Sequence, residues 1–350
     1  MKTKVVKINE NNIDSKAINQ AGRILRSGGL VAFPTETVYG LGADALNAKA
    51  SEKIYQAKGR PSDNPLIVHI YCMQQLEKIT DRVPEKAKLL ADAFWPGPLT
   101  MIFQKNRLVP YETTGGMDTV AVRMPKNKIA LALIRAGGGF IAAPSANASG
   151  RPSPTLATHV YEDMKDKIPL ILDGGEVKVG IESTIVDFTE SVPMILRPGY
   201  ITLEMVKSVI GEAILDPGVV KLSQNSRPKA PGMKYRHYAP KANLILVEGE
   251  IEKTIAKINE LTEKSIEAGK KVGIIGTKET INYYEHGLVL SIGDRQEEET
   301  IAHNLYKILR QFDAFDVDII YSESFTVMSM GEAIMNRMLK AAGHQVIMAK

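Results

Sequence analysis

Apolar and polar positions alternate differently in the two halves of this chain. In the first 215 residues, apolar positions recur at helical spacing over Ser15–Ser27, Lys49–Lys58, Pro84–Phe94 and Lys128–Ala136. Among them lie apolar runs of strand length: Gly29–Phe33, Leu66–Ile70, Leu99–Phe103, Val120–Arg123, Phe140–Ala143, Leu170–Leu172 and Ser183–Asp187. Many such runs, broken by Gly and Pro turns, predict one large mixed α/β sheet domain with irregular crossings. Polar and glycine-rich clusters recur at the run ends, where ligand sites tend to lie. Residues 241–350 are more regular. Predicted strands at Ala242–Val247, Lys271–Ile275, Leu288–Ile292 and Val317–Tyr321 interleave with three predicted helices. The helices are marked by Ile251/Ile255/Ile258/Leu261, by Ile301/Leu305/Ile308/Leu309, and by Ala333–Leu339. Strand and helix in alternation predict a small parallel α/β layer.

Between these patterns, residues 216–240 show neither period, and four prolines with two glycines make them an extended connector. The expected division is therefore 1–215, a linker at 216–240, and 241–350. Met233, Tyr235, His237 and Tyr238 prefer to pack against something. The second half of the linker is thus either a free tether or a segment that docks and closes a site.

Composition narrows the class. Hydrophobic residues make up 44% and charged residues 24%, the balance of a soluble globular protein. No stretch approaches the roughly 18 to 20 unbroken apolar residues of a membrane span. The amino-terminal MKTKVVKINENN turns polar too early for a signal peptide. A single cysteine, Cys72, rules out an internal disulfide and a cysteine zinc cage. A cytoplasmic protein is expected. The net charge of +4 is too mild to announce nucleic acid. Its distribution says more: 26 basic and 22 acidic side chains in 1–215, 5 and 1 in 216–240, and 13 and 17 in 241–350.

Five clusters carry candidate chemistry. Phe33–Gly42 (F-P-T-E-T-V-Y-G-L-G) runs from a strand into a hydroxyl-rich turn. With Ala45 it matches a loose dinucleotide fingerprint, but no helix opens directly after the glycines. A nicotinamide dehydrogenase would rest on that match alone. Lys58–Leu66 (K-G-R-P-S-D-N-P-L) sets Lys58 and Arg60 at a helix end, either capping its carbonyls or, braced by Pro61 and Pro65, meeting phosphate. His69 follows in a short strand. In Asp118–Pro125, Arg123 lies on the face opposite Val120 and Val122, a solvated cation or, in a cleft, a carboxylate clamp. Ala142–Ser153 (A-A-P-S-A-N-A-S-G-R-P-S) combines small residues with a dense set of donors and lacks the G-x-S-x-G of a hydrolase. Gly180–Asp187 (G-I-E-S-T-I-V-D) is followed by Arg197 before a proline turn. No Walker A motif occurs, so a nucleotide would be held by an uncommon architecture.

The ordered set P-T-E-T-V-Y-G-L, K-G-R-P-x-x-N-P-L, P-S-A-N-x-S-G and E-S-T-I-V-D resembles the threonylcarbamoyl-adenylate synthase (YrdC-like) family. The later P-G-M-K-Y-R-H-Y-A-P and the α/β tail resemble its two-domain form. The resemblance implies a YrdC-like mixed twisted-sheet domain followed by a smaller Rossmann-like α/β domain. It implies an enzyme, a nucleotidyltransferase, joining L-threonine, bicarbonate and ATP into threonylcarbamoyl-AMP and releasing pyrophosphate. The product would feed a threonylcarbamoyl transferase machinery that modifies adenosine next to the tRNA anticodon. Direct tRNA contact is left open. By resemblance, the catalytic tetrad falls on Lys58, Arg60, Ser145 and Asn147. Threonine binding falls on Thr37, with Thr35 as a second candidate, and on His69, Arg123, Ala143 and Ser183. ATP binding falls on Arg60, Asn64, Thr119, Ser145, Ser153, Arg197 and the linker residue Tyr235. Mg²⁺ is expected on the nucleotide rather than on protein ligands. The main rival, a non-catalytic RNA-binding module of the same fold, is disfavoured by the mild charge and the lack of an aromatic stacking platform. Carbamoyl-transfer relatives of this fold carry zinc-finger cysteines, and this chain has one cysteine.

Overall fold

The computed structural model describes residues 2–220, 237–325 and 330–350. These divide into two compact units. The first takes residues 2–149, 153–178 and 182–220; the second takes 150–152, 179–181, 237–325 and 330–350. Of the linker, residues 221–236, with Met233 and Tyr235, lie outside the described residues. His237 and Tyr238 are buried in the second unit, where the Tyr238 ring lies 5.2 Å from that of Tyr306.

The strands of the first unit are β1 (Lys4–Lys7), β2 (Val31–Phe33), β3 (Gly40–Asp44), β4 (Ile67–His69), β5 (Leu99–Gln104), β6 (Thr119–Arg123), β7 (Ile141–Ala142), β8 (Leu170–Asp173), β9 (Thr184–Asp187), β10 (Met194–Arg197) and β11 (Ile214–Leu215). They form one mixed sheet in the order β1-β8-β2-β3-β7-β4-β6-β5-β9-β10-β11. Alternation along each strand feeds two cores. Val31, Phe33, Ile141, Leu170 and Leu172 pack with helices Ser15–Arg26 and Lys128–Ala136. Ala32, Val68, Met101, Val120, Val122, Ala142 and Ile171 point the other way, into a larger core. That core is covered by helices Ala48–Lys58, Met73–Ile79, Glu85–Phe94, Ala157–Met164 and Leu203–Ile210. Apolar residues on both faces are why these strands read as unbroken runs. Asp14, Asn47 and Asn127 start three of the helices by accepting backbone N–H groups of the first turn.

The periodicity did not predict β1, β3, β10 or β11. The sequence of β3, G-L-G-A-D, is poor in strand-forming side chains. Antiparallel partners on both sides, β2 and β7, make it a strand. In β4, β5, β6, β9 and β10, the face away from the larger core holds only a small apolar group: Ile67, Ile102, Ala121, Ile185 and Leu196. That sparsely apolar face carries the polar chemistry described below.

The second unit is an all-parallel sheet of β12 (Asn243–Glu248), β13 (Val272–Gly276), β14 (Leu288–Ser291), β15 (Ile319–Glu323) and β16 (Val346–Met348), ordered β14-β13-β15-β12-β16. Helices Ile251–Glu267, Glu298–Phe315 and Gly331–Ala341 alternate with the strands, a Rossmann-like arrangement. No described helix is long and apolar enough to cross a membrane.

Candidate active site

Strand register places a row of polar side chains on the sparsely apolar face of the first unit. His69 pairs with Arg123, Arg123 with Thr100, Thr100 with Ile185, and Ile185 with Arg197. The row therefore crosses β4, β6, β5, β9 and β10, with an arginine on each side of Thr100. Strict alternation from Ile195, which sits in the larger core, would send Arg197 to the wrong face. A β-bulge between Ile195 and Arg197 shifts the register by one residue and re-aims it. Three inter-strand steps separate the two arginine backbones, about 14 Å at roughly 4.8 Å per step. Two anionic groups of one reaction can occupy such a span.

Both arginines are buried and differently engaged. The Arg197 guanidinium donates to the Ser183 carbonyl at 2.9 and 3.1 Å and to Ser183 Oγ at 3.2 Å; Ser183 Oγ lies 2.7 Å from Thr100 Oγ1. Gly199 allows this packing, since a Cβ there would stand 2.5 Å from the Thr184 amide nitrogen. Arg123 Nε donates to the Gly97 carbonyl at 3.3 Å, Nη1 to Thr37 Oγ1 at 2.9 Å, and Nη2 to Glu36 Oε1 at 2.7 Å. Of the two readings open for Arg123, a solvated cation is excluded: the side chain is buried and already holds a carboxylate of its own chain. His69, beside it, is fully enclosed. Burial first, and then the Arg123 charge, lower its pKa to about 3, so the ring is neutral at physiological pH. Its Nδ1–H donates to the Ile67 carbonyl at 3.1 Å.

The turn from Pro34 to Tyr39 separates the two threonine candidates. Thr35 Oγ1 accepts from the Thr37 and Val38 amides and donates to the Val38 carbonyl at 2.6 Å, so it organises the turn. Thr37 Oγ1 lies 2.9 Å from Thr35 Oγ1 and, unlike it, also accepts from Arg123. The turn is pinned to the small-residue loop: the Leu41 amide donates to Pro144, and the Ala146 amide to Tyr39. Ala143 is tied to β4 through the Ile67 carbonyl.

Lys58 does not cap its own helix. Gly59, in the left-handed region at φ 62°, closes the helix by donating to the Gln56 carbonyl, and the Arg60 amide takes that of Tyr55. The buried Lys58 Nζ reaches across to the Ser145 and Asn147 carbonyls, while Ser145 Oγ donates to Asn147 Oδ1 at 2.5 Å. Three of the four tetrad positions therefore form one bonded group, with Lys58 as the brace of the loop. Arg60 donates to the Asn64 and Pro65 carbonyls, within its own turn. Asn64 is buried with Oδ1 unpartnered among the described residues. Ser153 Oγ donates to the buried Glu182 at 2.6 Å. Thr119 stands at the far end of β6, roughly 13 Å along the strand from Arg123. Tyr235 lies outside the described residues.

Sequence reasoning missed Glu36, Thr100 and the Gly97 carbonyl. Glu36 is the one acid between the two hydroxyls of T-E-T, and Thr100 the one polar residue inside L-T-M-I-F; both oddities were visible. Among the described residues, one set of carboxylate and imidazole atoms is close enough to share a cation: Glu263, Glu285 and His286, exposed in the second unit.

Known proteins resemble this chain over both units. A family model for Sua5, YciO and YrdC proteins, described as telomere recombination, matches residues 23–199. A second, for the C-terminal domain of threonylcarbamoyl-AMP synthase, matches residues 201–343. The threonylcarbamoyl-AMP synthase of Pyrococcus abyssi is 51% identical over 345 residues, 99% of both chains. That of Bacillus subtilis is 49% identical over 352 residues, covering 99% of this chain and 100% of the relative. The crystal structure of P. abyssi Sua5 complexed with L-threonine matches with a TM-score of 0.94 at 49% identity, over 99% of this chain and 100% of that one.

Proposed function

The chain belongs to the Sua5/YciO/YrdC family in its two-domain form, and from that premise we propose that it is a threonylcarbamoyl-AMP synthase. It joins L-threonine, bicarbonate and ATP into threonylcarbamoyl-AMP and releases pyrophosphate. The observation that carries the reading is the row in which buried Arg123 and buried Arg197 stand on either side of Thr100. An amino-acid carboxylate and a nucleotide phosphate are both anions for which the arginine fork is well matched. Arg123, Thr37, His69, Ala143 and Ser183 form the threonine side. Arg197, Arg60, Asn64, Ser145, Ser153 and Thr119 form the ATP side, to which Tyr235 is assigned by resemblance.

The neutral threonine amine attacks the bicarbonate carbon; a bicarbonate oxygen leaves as water, taking up the proton that the nitrogen gives off, and a carbamate remains. A carbamate oxygen then attacks the α-phosphorus and pyrophosphate leaves, which makes the enzyme a nucleotidyltransferase. None of these steps needs a covalent enzyme nucleophile, so the protein acts by positioning and by opposing charge on the phosphates. Lys58 contributes by holding the Ser145–Asn147 loop in register with the turn that carries Thr37. Cations, hydroxyls and an amide fit phosphate oxygens and include no cluster of free carboxylates. Mg²⁺ is accordingly assigned to the nucleotide phosphates, where it supplies countercharge to the leaving pyrophosphate. The acyl adenylate is then consumed by a transferase acting on tRNA, and we place both in the cytoplasm.

The test is pyrophosphate release from ATP, L-threonine and bicarbonate. Release that requires all three is expected. Release that ignores threonine, or none at all from folded protein, overturns the reading.

A further inference from the structure

Glu36 has a place in the site that the reaction as described so far does not use. It is 7% exposed, and its two oxygens differ. Oε1 accepts from Arg123 Nη2 at 2.7 Å; Oε2 has no hydrogen-bond partner among the described residues. A buried carboxylate oxygen left unpartnered is costly, and such an atom calls for an explanation in terms of a missing donor. Arg123 is incomplete in the complementary sense. A guanidinium has five N–H groups, and three of them are engaged, by Gly97, Thr37 and Glu36. So the pair presents unfilled donors and one unfilled acceptor in the same place.

We propose that Glu36 Oε2 accepts the amino group of the substrate amino acid, while the free N–H groups of Arg123 take its carboxylate. The inference rests on the threonine reading above and adds the residue that recognises the amine. The charges support it. An α-amino acid in water is a zwitterion with no net charge, and burying it beside a lone arginine would leave an uncompensated ion. Beside an arginine–glutamate pair the total stays at zero. His69, the other titratable group of the row, does not disturb this balance, because enclosure keeps it neutral. The position in the fold also fits. Glu36 lies one residue from Thr37, and the turn that carries both is organised by Thr35 and bonded to the loop of Ser145 and Asn147. The amine would thus be held between the carboxylate clamp and the loop assigned to ATP, where, once the ammonium has given up a proton, it attacks the bicarbonate carbon.

Calorimetric titration with two ligands tests this: L-threonine, and the matching 2,3-dihydroxybutyrate, which replaces the amine with a hydroxyl and keeps the carboxylate. Wild-type protein is expected to bind the hydroxy acid at least tenfold more weakly. Glu36→Gln is expected to lose at least tenfold in threonine affinity and nothing in affinity for the hydroxy acid, with ATP binding unchanged. Equal losses for both ligands would show that Glu36 only orients Arg123, and would overturn the proposal. So would unchanged threonine affinity in Glu36→Gln. If that variant fails to fold, the wild-type comparison still decides, because equal affinity for the two ligands removes any amine acceptor. Wild-type protein that binds neither ligand would instead bring down the threonine reading, and this inference with it.

Discussion

Glu36 in the first unit and Glu323 in the second are buried carboxylates that each meet an arginine, and the two pairs are finished differently. In the first, Glu36 uses one oxygen and leaves the other without a donor. In the second, Glu323 closes β15 and uses both. Oε1 accepts from Thr280 Oγ1 and from the Tyr284 hydroxyl at 2.6 Å, and Oε2 accepts from Arg295. Burial and the Glu323 charge push the Tyr284 hydroxyl pKa well above its ordinary value, so it stays a donor. A saturated pair of this kind ties two segments, the turn from Thr280 to Tyr284 and the loop of Arg295, to the end of one strand. An unsaturated pair has capacity left for a ligand. The same two side-chain types thus make a staple in one unit and a receptor in the other, and what separates them is the number of donors around the carboxylate.

The comparison breaks most visibly at the staple. Glu323→Ala leaves Arg295, Thr280 and Tyr284 without their shared acceptor, a loss of about 3 kcal/mol when one partner of a buried pair is removed. Thermal melts followed by circular dichroism should register it, while the protein that remains folded keeps its threonine affinity. Weakened threonine binding in this variant would mean that the staple also serves the site.

At the receptor the effect should appear in binding rather than in folding. Arg123→Lys keeps the charge but removes the fork that reaches Glu36, Thr37 and Gly97. The threonine KM should rise about a hundredfold, equivalent to about 2.7 kcal/mol, with the ATP KM changed by far less. Equal effects on both substrates would make Arg123 a structural residue like Arg295.

The smallest effect sharpens the comparison through pH. Folding holds the His69 pKa near 3, below the ordinary histidine value of about 6.5. Between those values the unfolded chain binds a proton that the folded chain does not. Stability therefore falls on acidification from about pH 6.5 toward 3, by about 1.4 kcal/mol per pH unit from this group. Trp95, the single tryptophan, lies in the first unit and reports its unfolding. Denaturant midpoints from its fluorescence should drop between pH 7 and pH 5 in wild type, and His69→Asn should flatten that drop. Identical slopes in both proteins would mean that other groups set the acid limit.

Most of the longer helices and most strands were legible in the sequence because a single element's period is written within a dozen neighbouring residues. The helices Met73–Ile79, Ala157–Met164 and Leu203–Ile210 were not predicted. Lys128–Ala136 was predicted with the bounds the structure shows, and the alternating tail predicted a parallel sheet that the register confirms. Strand β3 escaped because its small residues carry no period of their own and its partners lie elsewhere in the chain. The motifs also singled out Lys58, Ser145, Asn147, Arg123 and Arg197 as chemistry-bearing residues. What each of them touches was not legible. Lys58 meets a loop 87 and 89 residues away, Arg123 meets Glu36 and Thr37 at separations of 87 and 86, and Arg197 faces the row only because of a bulge. The sequence by itself determined most of the longer elements, the family and the inventory of polar groups, since those depend on local order and composition. The tertiary structure alone decided which groups meet and which oxygen is left without a donor, since both depend on strand register and on contacts that close loops of many tens of residues.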